Sequence, residues 1–435
     1  MLNRIEHKQF TVGLIGLGYV GLPLALEFVE SGIKVLGFEL DARKCDALKA
    51  GRSYIKHIPT ARVAAAAATG LLEATTEMER LGGPDVLLIA VPTPLNEHRE
   101  PDLGPVVAAT RAIASRLRRG QLVVLESTTY PGTVDEVMRP ILEQASGLSA
   151  ERDFWLAFSP EREDPNNPDF NTRTIPKVVG GLTPEATAIA KAVYDHVIVR
   201  TVPVSSTRAA EAAKLLENIY RSVNIAMINE LKMVFDRMGI DVWEVIEAAR
   251  TKPFGFQAFY PGPGLGGHCI PIDPFYLTWK AKEFDINTRF IELAGEINTG
   301  MPEYVVNRAM HALNGQKRAI NGSRVLLLGM AYKKNIDDLR ESPSIKLVEL
   351  LRRVGAQVDY HDPYIPEYHD EHGADIHLRS VPLTPESLGG YDAVLISTDH
   401  DEVDYAMVVR HSRLVVDTRN ATRGVTEGRE RIFKA

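Results

Sequence analysis

Short apolar, β-branched runs alternate with stretches of helical period through the first third of the chain, and the same rhythm returns near the C-terminus. Such alternation predicts parallel strands covered by helices. The expected strands are Thr11 to Ile15, Val35 to Glu39, Val86 to Val91, Val123 to Glu126 and Trp155 to Phe158, then Arg324 to Leu328, Gln357 to His361, Ala393 to Ser397 and Leu414 to Asp417. Two separate α/β layers follow from this. Asp85-Val-Leu-Leu-Ile-Ala echoes Asp392-Ala-Val-Leu-Ile-Ser, an echo that convergence of buried strands explains nearly as well. Between the layers, apolar residues at Ala212, Leu216, Ile219, Val223, Leu231 and Val234 are spaced for one helix from about Thr207 to Met238. At 1.5 Å per residue it spans roughly 45 to 50 Å. A helix so long either docks on a second subunit or has its stripe covered by the shorter pattern Val242 to Ala249. Residues 253 to 274 then break the period with many Gly and Pro, as a shaped loop does.

Length and charge narrow the class. A chain of 435 residues, 45% hydrophobic and 25% charged, has room for two or three cores and no mark of disorder. Its formal charge of −7 repels nucleic acid and anionic lipid, so neither is expected as a partner, and any anionic ligand needs local basic residues. No apolar run is long enough to span a bilayer, and Met1 to Phe10 carries charges instead of a signal-peptide core, so the expected location is the cytoplasm. Cys45 and Cys269 are the only cysteines, which argues against a disulfide framework and a CxxC-type metal site; no metal is expected.

Gly16-Leu-Gly18-Tyr19-Val20-Gly21 follows the first strand and opens a helical pattern, the setting in which backbone N–H groups and a helix dipole meet a pyrophosphate. Glu39 closes the second strand, where a carboxylate takes a ribose diol and repels a 2′-phosphate, so NAD is expected over NADP; Arg43 and Lys44 nearby pull the other way. An ordinary solvated strand end is the plainer account of Glu39, but strand, turn, helix and acid together favour the cofactor role. Cys269 sits among Gly264, Gly266 and Gly267, where backbone rather than side chains surrounds the sulfur and a ligand can approach. A buried structural thiol needs no such glycines, although burial is the usual fate of a lone cysteine; Cys45, within a helical pattern, fits that fate. His268 is adjacent to Cys269, and neighbouring side chains in an extended loop point apart, so a Cys-His dyad is not expected. Asp273 before Pro274 reads as a helix N-cap. Lys214 and Asn218 share one helix face, with Arg221 on the next turn.

In this order, Gly16 to Pro23, Val91-Pro-Thr93-Pro94, Glu126-Ser-Thr128, Ser159-Pro-Glu161, Lys214 with Asn218, Gly264 to Cys269 with Asp273, Gly329-Met-Ala-Tyr332-Lys333 with Asp338 and Arg340, and Asp417-Thr-Arg419 resemble the nucleotide-sugar 6-dehydrogenases over nearly the whole chain. Ser53-Tyr-Ile-Lys-His-Ile-Pro59 and Lys252-Pro-Phe-Gly255 look like the UDP-N-acetylglucosamine branch more than the UDP-glucose branch.

The resemblance implies two Rossmann-like doubly wound parallel-sheet domains, at 1–204 and 311–435, joined by a central helical domain at 205–310. It implies four-electron oxidation of a UDP-sugar C6 alcohol with NAD, through a thiohemiacetal and a thioester on Cys269. By the same carry-over, Lys214 and Asn218 stabilise oxyanions, Asp273 orients water or the lysine, Glu161 serves hydrolysis as base, and Thr128 lies near the reacting carbon. Tyr19, Val20, Glu39, Arg43, Thr93, Thr128 and Arg340 match cofactor contacts beside the glycines. Arg162, Glu163, Lys214, Asn218, Arg221, Tyr260, Gly266, Tyr332, Lys333 and Arg419 match substrate contacts, the last two suiting a diphosphate. This chain has Pro253 where several relatives place a basic residue, which leaves Arg250 or Lys252 as substitutes. A homodimer or higher homo-oligomer is expected. The readings from other classes are a two-electron hydroxyacid dehydrogenase, which would not need Cys269, and a non-catalytic nucleotide-sugar sensor.

Overall fold

The first 203 residues lay down eight strands. These are β1 (Thr11–Ile15), β2 (Lys34–Phe38), β3 (Leu72–Thr75), β4 (Val86–Ile89), β5 (Leu122–Leu125), β6 (Trp155–Phe158), β7 (Lys177–Gly181) and β8 (Thr201–Pro203). They form one sheet in the order β3-β2-β1-β4-β5-β6-β7-β8, with every pair parallel except β6 against β7. The sheet is parallel, as expected, but for this one pair, and β7 lies outside the expected strands. Every residue of β4 and β5 is buried, as a strand covered on both faces requires. One face packs on Leu22, Leu24, Phe28 and Tyr194, the other on Val106, Ile113, Met138 and Phe154. The computed structural model describes residues 1–96, 98–163, 169–267, 269–369 and 376–435. His268, the partner in the discounted dyad, lies outside them.

A second sheet holds β9 (Arg324–Leu328), β10 (Gln357–His361), β13 (Ala393–Ile396), β14 (Val415–Asp417) and β15 (Ile432–Lys434), all parallel in the order β10-β9-β13-β14-β15. The short antiparallel pair β11 (Glu367–His369) and β12 (His377–Arg379) adjoins β10 through a bridge between Tyr360 and Ser380. The long helix runs from Thr207 to Met238, on the residues the apolar spacing marked. Val242, Trp243 and Ile246 of the helix Val242–Ala249 pack with Ile228 and cover part of its stripe.

By packing, the chain divides into two compact units, Met1–Glu217 with Phe275–Asn287, and Asn218–Pro274 with Thr288–Ala435. The division falls inside the long helix.

Candidate active site

In the first unit, the glycine turn lies at the C-terminal end of β1, beside β4, where the chain order of the sheet reverses. Open α/β sheets bind ligands at that switch point. Gly16 has φ +90°, and a Cβ there would stand 2.5 Å from the Ala90 carbonyl oxygen. A Cβ on Gly18 would meet nothing within 4 Å, so the space before the helix Gly21–Glu30 is open to a ligand at that point. Glu39, one residue past β2, accepts the Leu17 N–H at 3.1 Å on one oxygen and the Leu40 N–H at 2.9 Å on the other, with Lys44 at 3.3 Å. A bare glycine facing open space and a carboxylate tied to the same turn fit a pyrophosphate and a ribose diol. Tyr54 donates to the Leu17 carbonyl at 2.5 Å, and Tyr19 stacks on His57 at 5.6 Å, so the Ser53–Pro59 segment braces the turn.

Thr93 follows β4 and is buried; its carbonyl accepts the Tyr276 hydroxyl at 2.6 Å. Thr128 follows β5 and is half-buried. Both stand at the strand ends that carry the glycine turn. Arg43 does not join them: its guanidinium grips Asp41 and is 91% exposed.

Glu161 lies past the end of β6. One oxygen accepts the N–H groups of Arg162 and Glu163 at 2.7 and 2.8 Å, and the other faces the Lys177 ammonium at 3.4 Å. Burial opposes its charge, but Lys177, the two N–H groups and Lys214 outweigh burial and hold its carboxyl below the ordinary range. Glu163 accepts the Thr172 hydroxyl at 2.9 Å, and burial with Glu161 beside it pushes its carboxyl up to about 7. Arg162 is bound to Glu217 at 2.5 and 3.1 Å and to the Pro176 carbonyl at 2.6 Å. Lys214 is buried on the long helix.

In the second unit, Asn218 and Asp273 are both buried, and the Asn218 amide donates to Asp273 Oδ2 at 2.5 Å. Asp273 donates its own N–H to the Cys269 carbonyl at 2.8 Å, which ties the start of the helix Asp273–Ala281 to the cysteine. Cys269 is in no disulfide and is half-buried. Its loop is pressed close on both sides. A Cβ at Gly266 would come within 2.5 Å of Tyr332 Cβ, and one at Gly262 within 2.5 Å of the Arg419 guanidinium. Gly267 donates to the Arg340 carbonyl at 2.9 Å. The Gly262 N–H reaches Asn229 Oδ1 at 3.1 Å, and Asn229 in turn donates to Asn298 at 2.9 Å. Neither asparagine was singled out from sequence, where each reads as one polar residue on an amphipathic helix.

Tyr332, Lys333 and Arg419 are half-buried in this unit; Arg419 donates to the Ser397 carbonyl at 2.9 Å. Arg340 folds its guanidinium onto Asp338, and Arg221 is exposed. Tyr260 stacks on Trp243 at 5.6 Å and bonds Glu247 and Arg250. Arg250 is thus committed to Glu247 and Tyr260, and Lys252 lies over Phe254, so neither is drawn into the Cys269 loop. Burial raises the Cys45 thiol's pKa, as for a structural cysteine. Among the described residues no group of three or more His, Cys, Asp or Glu side chains is placed to hold a metal, and no helix is long and apolar enough to cross a membrane.

Three family models match in succession: the NAD binding domain of the UDP-glucose/GDP-mannose dehydrogenase family at residues 10–198, its central domain at 208–300 and its UDP binding domain at 326–424. The UDP-N-acetyl-D-glucosamine 6-dehydrogenase of Pseudomonas aeruginosa is 38% identical over 396 residues, 91% of this chain and 92% of that protein. The NDP-N-acetyl-D-galactosaminuronic acid dehydrogenase of Ralstonia solanacearum is 36% identical over 431 residues, 96% and 98% of the two chains. Among solved structures, the UDP-D-ManNAc dehydrogenase of Pyrococcus horikoshii matches with a TM-score of 0.85 at 32% identity over 96% of each chain. With its glycine turn, its cysteine loop and these matches along its length, the chain belongs to the UDP-glucose/GDP-mannose dehydrogenase family, and it is an oxidoreductase that acts on a nucleotide sugar with NAD.

Proposed function

We propose that the chain oxidises UDP-N-acetyl-D-glucosamine at C6 to the uronic acid. The observation that carries this reading is the half-buried Cys269, whose backbone carbonyl accepts the Asp273 N–H while the Asp273 carboxylate accepts the Asn218 amide. When bound, NAD⁺ supplies the hydride acceptor, two molecules being consumed per sugar; the glycine turn and Glu39 would hold it. Cys269 is assigned to trap the C6 aldehyde as a thiohemiacetal, because an aldehyde gives up a second hydride poorly and a thiohemiacetal can. The resulting thioester is cleaved by water: its oxygen bonds to the carbonyl carbon, the C–S bond breaks, and the proton passes to Glu161. Asn218 and Lys214, one turn apart on one helix, are assigned to the oxyanions, a role worth roughly 3 kcal/mol per donor. Asp273 fixes which way the Asn218 amide points. Lys333 and Arg419 are assigned to the diphosphate.

The acetamido sugar is proposed on the Pseudomonas aeruginosa relative and on the Ser53–Pro59 and Lys252–Gly255 segments. Initial rates on UDP-N-acetylglucosamine, UDP-N-acetylmannosamine, UDP-N-acetylgalactosamine and UDP-glucose test it. UDP-N-acetylglucosamine is expected to give the highest kcat/KM, and a clear preference for another sugar overturns the choice. Two NADH per sugar are expected; one would fit the two-electron class, and none the sensor. Cys269→Ser should lower uronate formation by about 10³-fold or more, and full output from that variant removes the thioester.

A further inference from the structure

Lys177 is a cation in the apolar run Lys177-Val-Val-Gly-Gly, and its side chain is 4% exposed. Its ammonium has three donors and three acceptors: Glu126 at 2.7 Å, the Pro160 carbonyl at 3.2 Å and Glu161 at 3.4 Å. Glu126, wholly buried at the end of β5, also accepts the hydroxyl of Tyr194, whose ring lies under the same ammonium at 5.2 Å. Two carboxylates thus share one buried cation. The contact to Glu126 is short and fixed, the one to Glu161 long. Glu161 and Lys177 line a small hollow with Thr172 and Pro176.

We propose that Lys177 is a positioning residue for thioester hydrolysis: anchored by Glu126 and Tyr194, it holds the Glu161 carboxylate ionised and aims one oxygen at the hollow, where a water can give it a proton. This rests on the assignment of Glu161 to hydrolysis made above. The geometry leaves Glu161 one way to turn. Its first oxygen is pinned by two backbone N–H groups, so only the oxygen facing Lys177 has a lone pair to spare. The other charges facing Glu161 are Glu163 on its own segment and Lys214 on the long helix. Burial pushes the Glu126 carboxyl up, whereas Lys177 and the two backbone N–H groups hold that of Glu161 down.

The test uses the full enzyme with NAD⁺ and UDP-N-acetylglucosamine in rapid mixing across pH. In Lys177→Met, the NADH burst of two per site should survive while steady turnover at neutral pH falls by about 10²-fold. The acyl adduct should accumulate on Cys269, and the acid limb of kcat should move up by about one pH unit or more. Lys177→Arg, which keeps the charge, should restore the acid limb. Glu126→Gln, which frees Lys177 for Glu161, should move the limb down. Opposite shifts from two neighbouring buried residues are not what a damaged fold produces, and Glu126→Gln carries the test should Lys177→Met fail to fold. If Lys177→Met keeps the wild-type limb and steady rate, or both variants move the limb one way, the inference about Lys177 is wrong. Glu161→Gln separates the two layers: normal hydrolysis in that variant removes Glu161 itself, whereas a stall there with an unaffected Lys177→Met removes only Lys177.

Discussion

His400 Nε2 lies 3.0 Å from Asp362 Oδ2, and neither side chain has any exposed surface. The Asn335 N–H points at the other ring nitrogen at 3.0 Å, so the ring proton sits on Nε2 and is donated to the carboxylate. Asp362 follows β10 as Glu39 follows β2, each at the end of the second strand beside a glycine turn. Its oxygens also accept the N–H groups of Met330, Ala331, Tyr364 and Ile365. Four backbone N–H groups and His400 thus tie this acid to the glycine turn and to the segment that follows it. The match to the family's UDP binding domain falls on this lobe. His400→Ala leaves a buried carboxylate short of its partner, and a loss of about 3 kcal/mol is expected in urea unfolding. A loss below about 1 kcal/mol would mean that the backbone donors alone satisfy Asp362.

Gly18 offers a cleaner test of the proposed cofactor site than Gly16. At Gly16 a methyl group meets the Ala90 carbonyl and a positive φ, so Gly16→Ala should damage fold and binding together. At Gly18 a methyl meets no protein atom within 4 Å. Gly18→Ala should melt within about 0.5 kcal/mol of the parent yet lose most of the stabilisation that saturating NAD confers. Thermal melts with and without NAD read both quantities; an unchanged NAD-induced shift would move the pyrophosphate away from this turn.

Where side chains contact near neighbours in sequence, the chain could be read directly. β1, β6, β9 and β10 begin and end where the apolar runs do, and so does the long helix. The glycine turn and the cysteine loop are local motifs whose chemistry lies in consecutive residues. β3, β8, β11, β12 and β15 escaped because they are three or four residues long and carry few apolar positions. β7 escaped altogether, and with it the antiparallel pairing to β6, because a lysine opens its short run and two glycines close it. Lys177, Glu126 and Tyr194 meet across separations of 51 and 68 residues, so no spacing announces them. The one hint was a lysine opening an apolar run, which calls for a buried acid.

Glu211 carries a dependence on pH. Its buried carboxyl accepts the N–H groups of Gly132 at 2.6 Å and Val134 at 3.1 Å, and burial pushes its pKa up from 4.5 to about 7. Unfolded, it ionises near its ordinary value, so between about pH 4.5 and 7 the folded chain holds a proton that the unfolded chain has released. Its contribution to stability is complete below that window and is lost as pH rises through it. Glu163, also raised to about 7, acts in the same direction. Glu211→Gln should be less stable than the parent at pH 5, having lost one backbone contact, and the difference should shrink by pH 7.5. Melting temperatures at the two pH values check this; a gap that widens with pH reverses the sign.

Tyr220, Met227 and Val234 recur every seven residues on the long helix and are 48, 46 and 45% exposed. Residues seven apart stand on one helix face. Tyr220 is partly engaged, by Gln257 through its hydroxyl and by Phe259 edge-on, but Met227 and Val234 are not covered by the packing of Trp243 and Ile246 on Ile228. A second copy of the chain is the expected cover, paired through the same patch on both copies. At about 48 Å long and 10 Å wide the helix face alone falls short of the roughly 800 Å² per partner of a stable interface. Other exposed apolar groups of the same unit, Phe254 and Phe290 foremost, are expected to join it. The protein should sediment as a dimer at micromolar concentration, and Met227→Glu with Val234→Glu should shift it to monomer with its melting temperature largely kept. A parent that sediments as monomer would leave this stripe without the occupant argued for it, and a dimer indifferent to both substitutions would place the interface on another face.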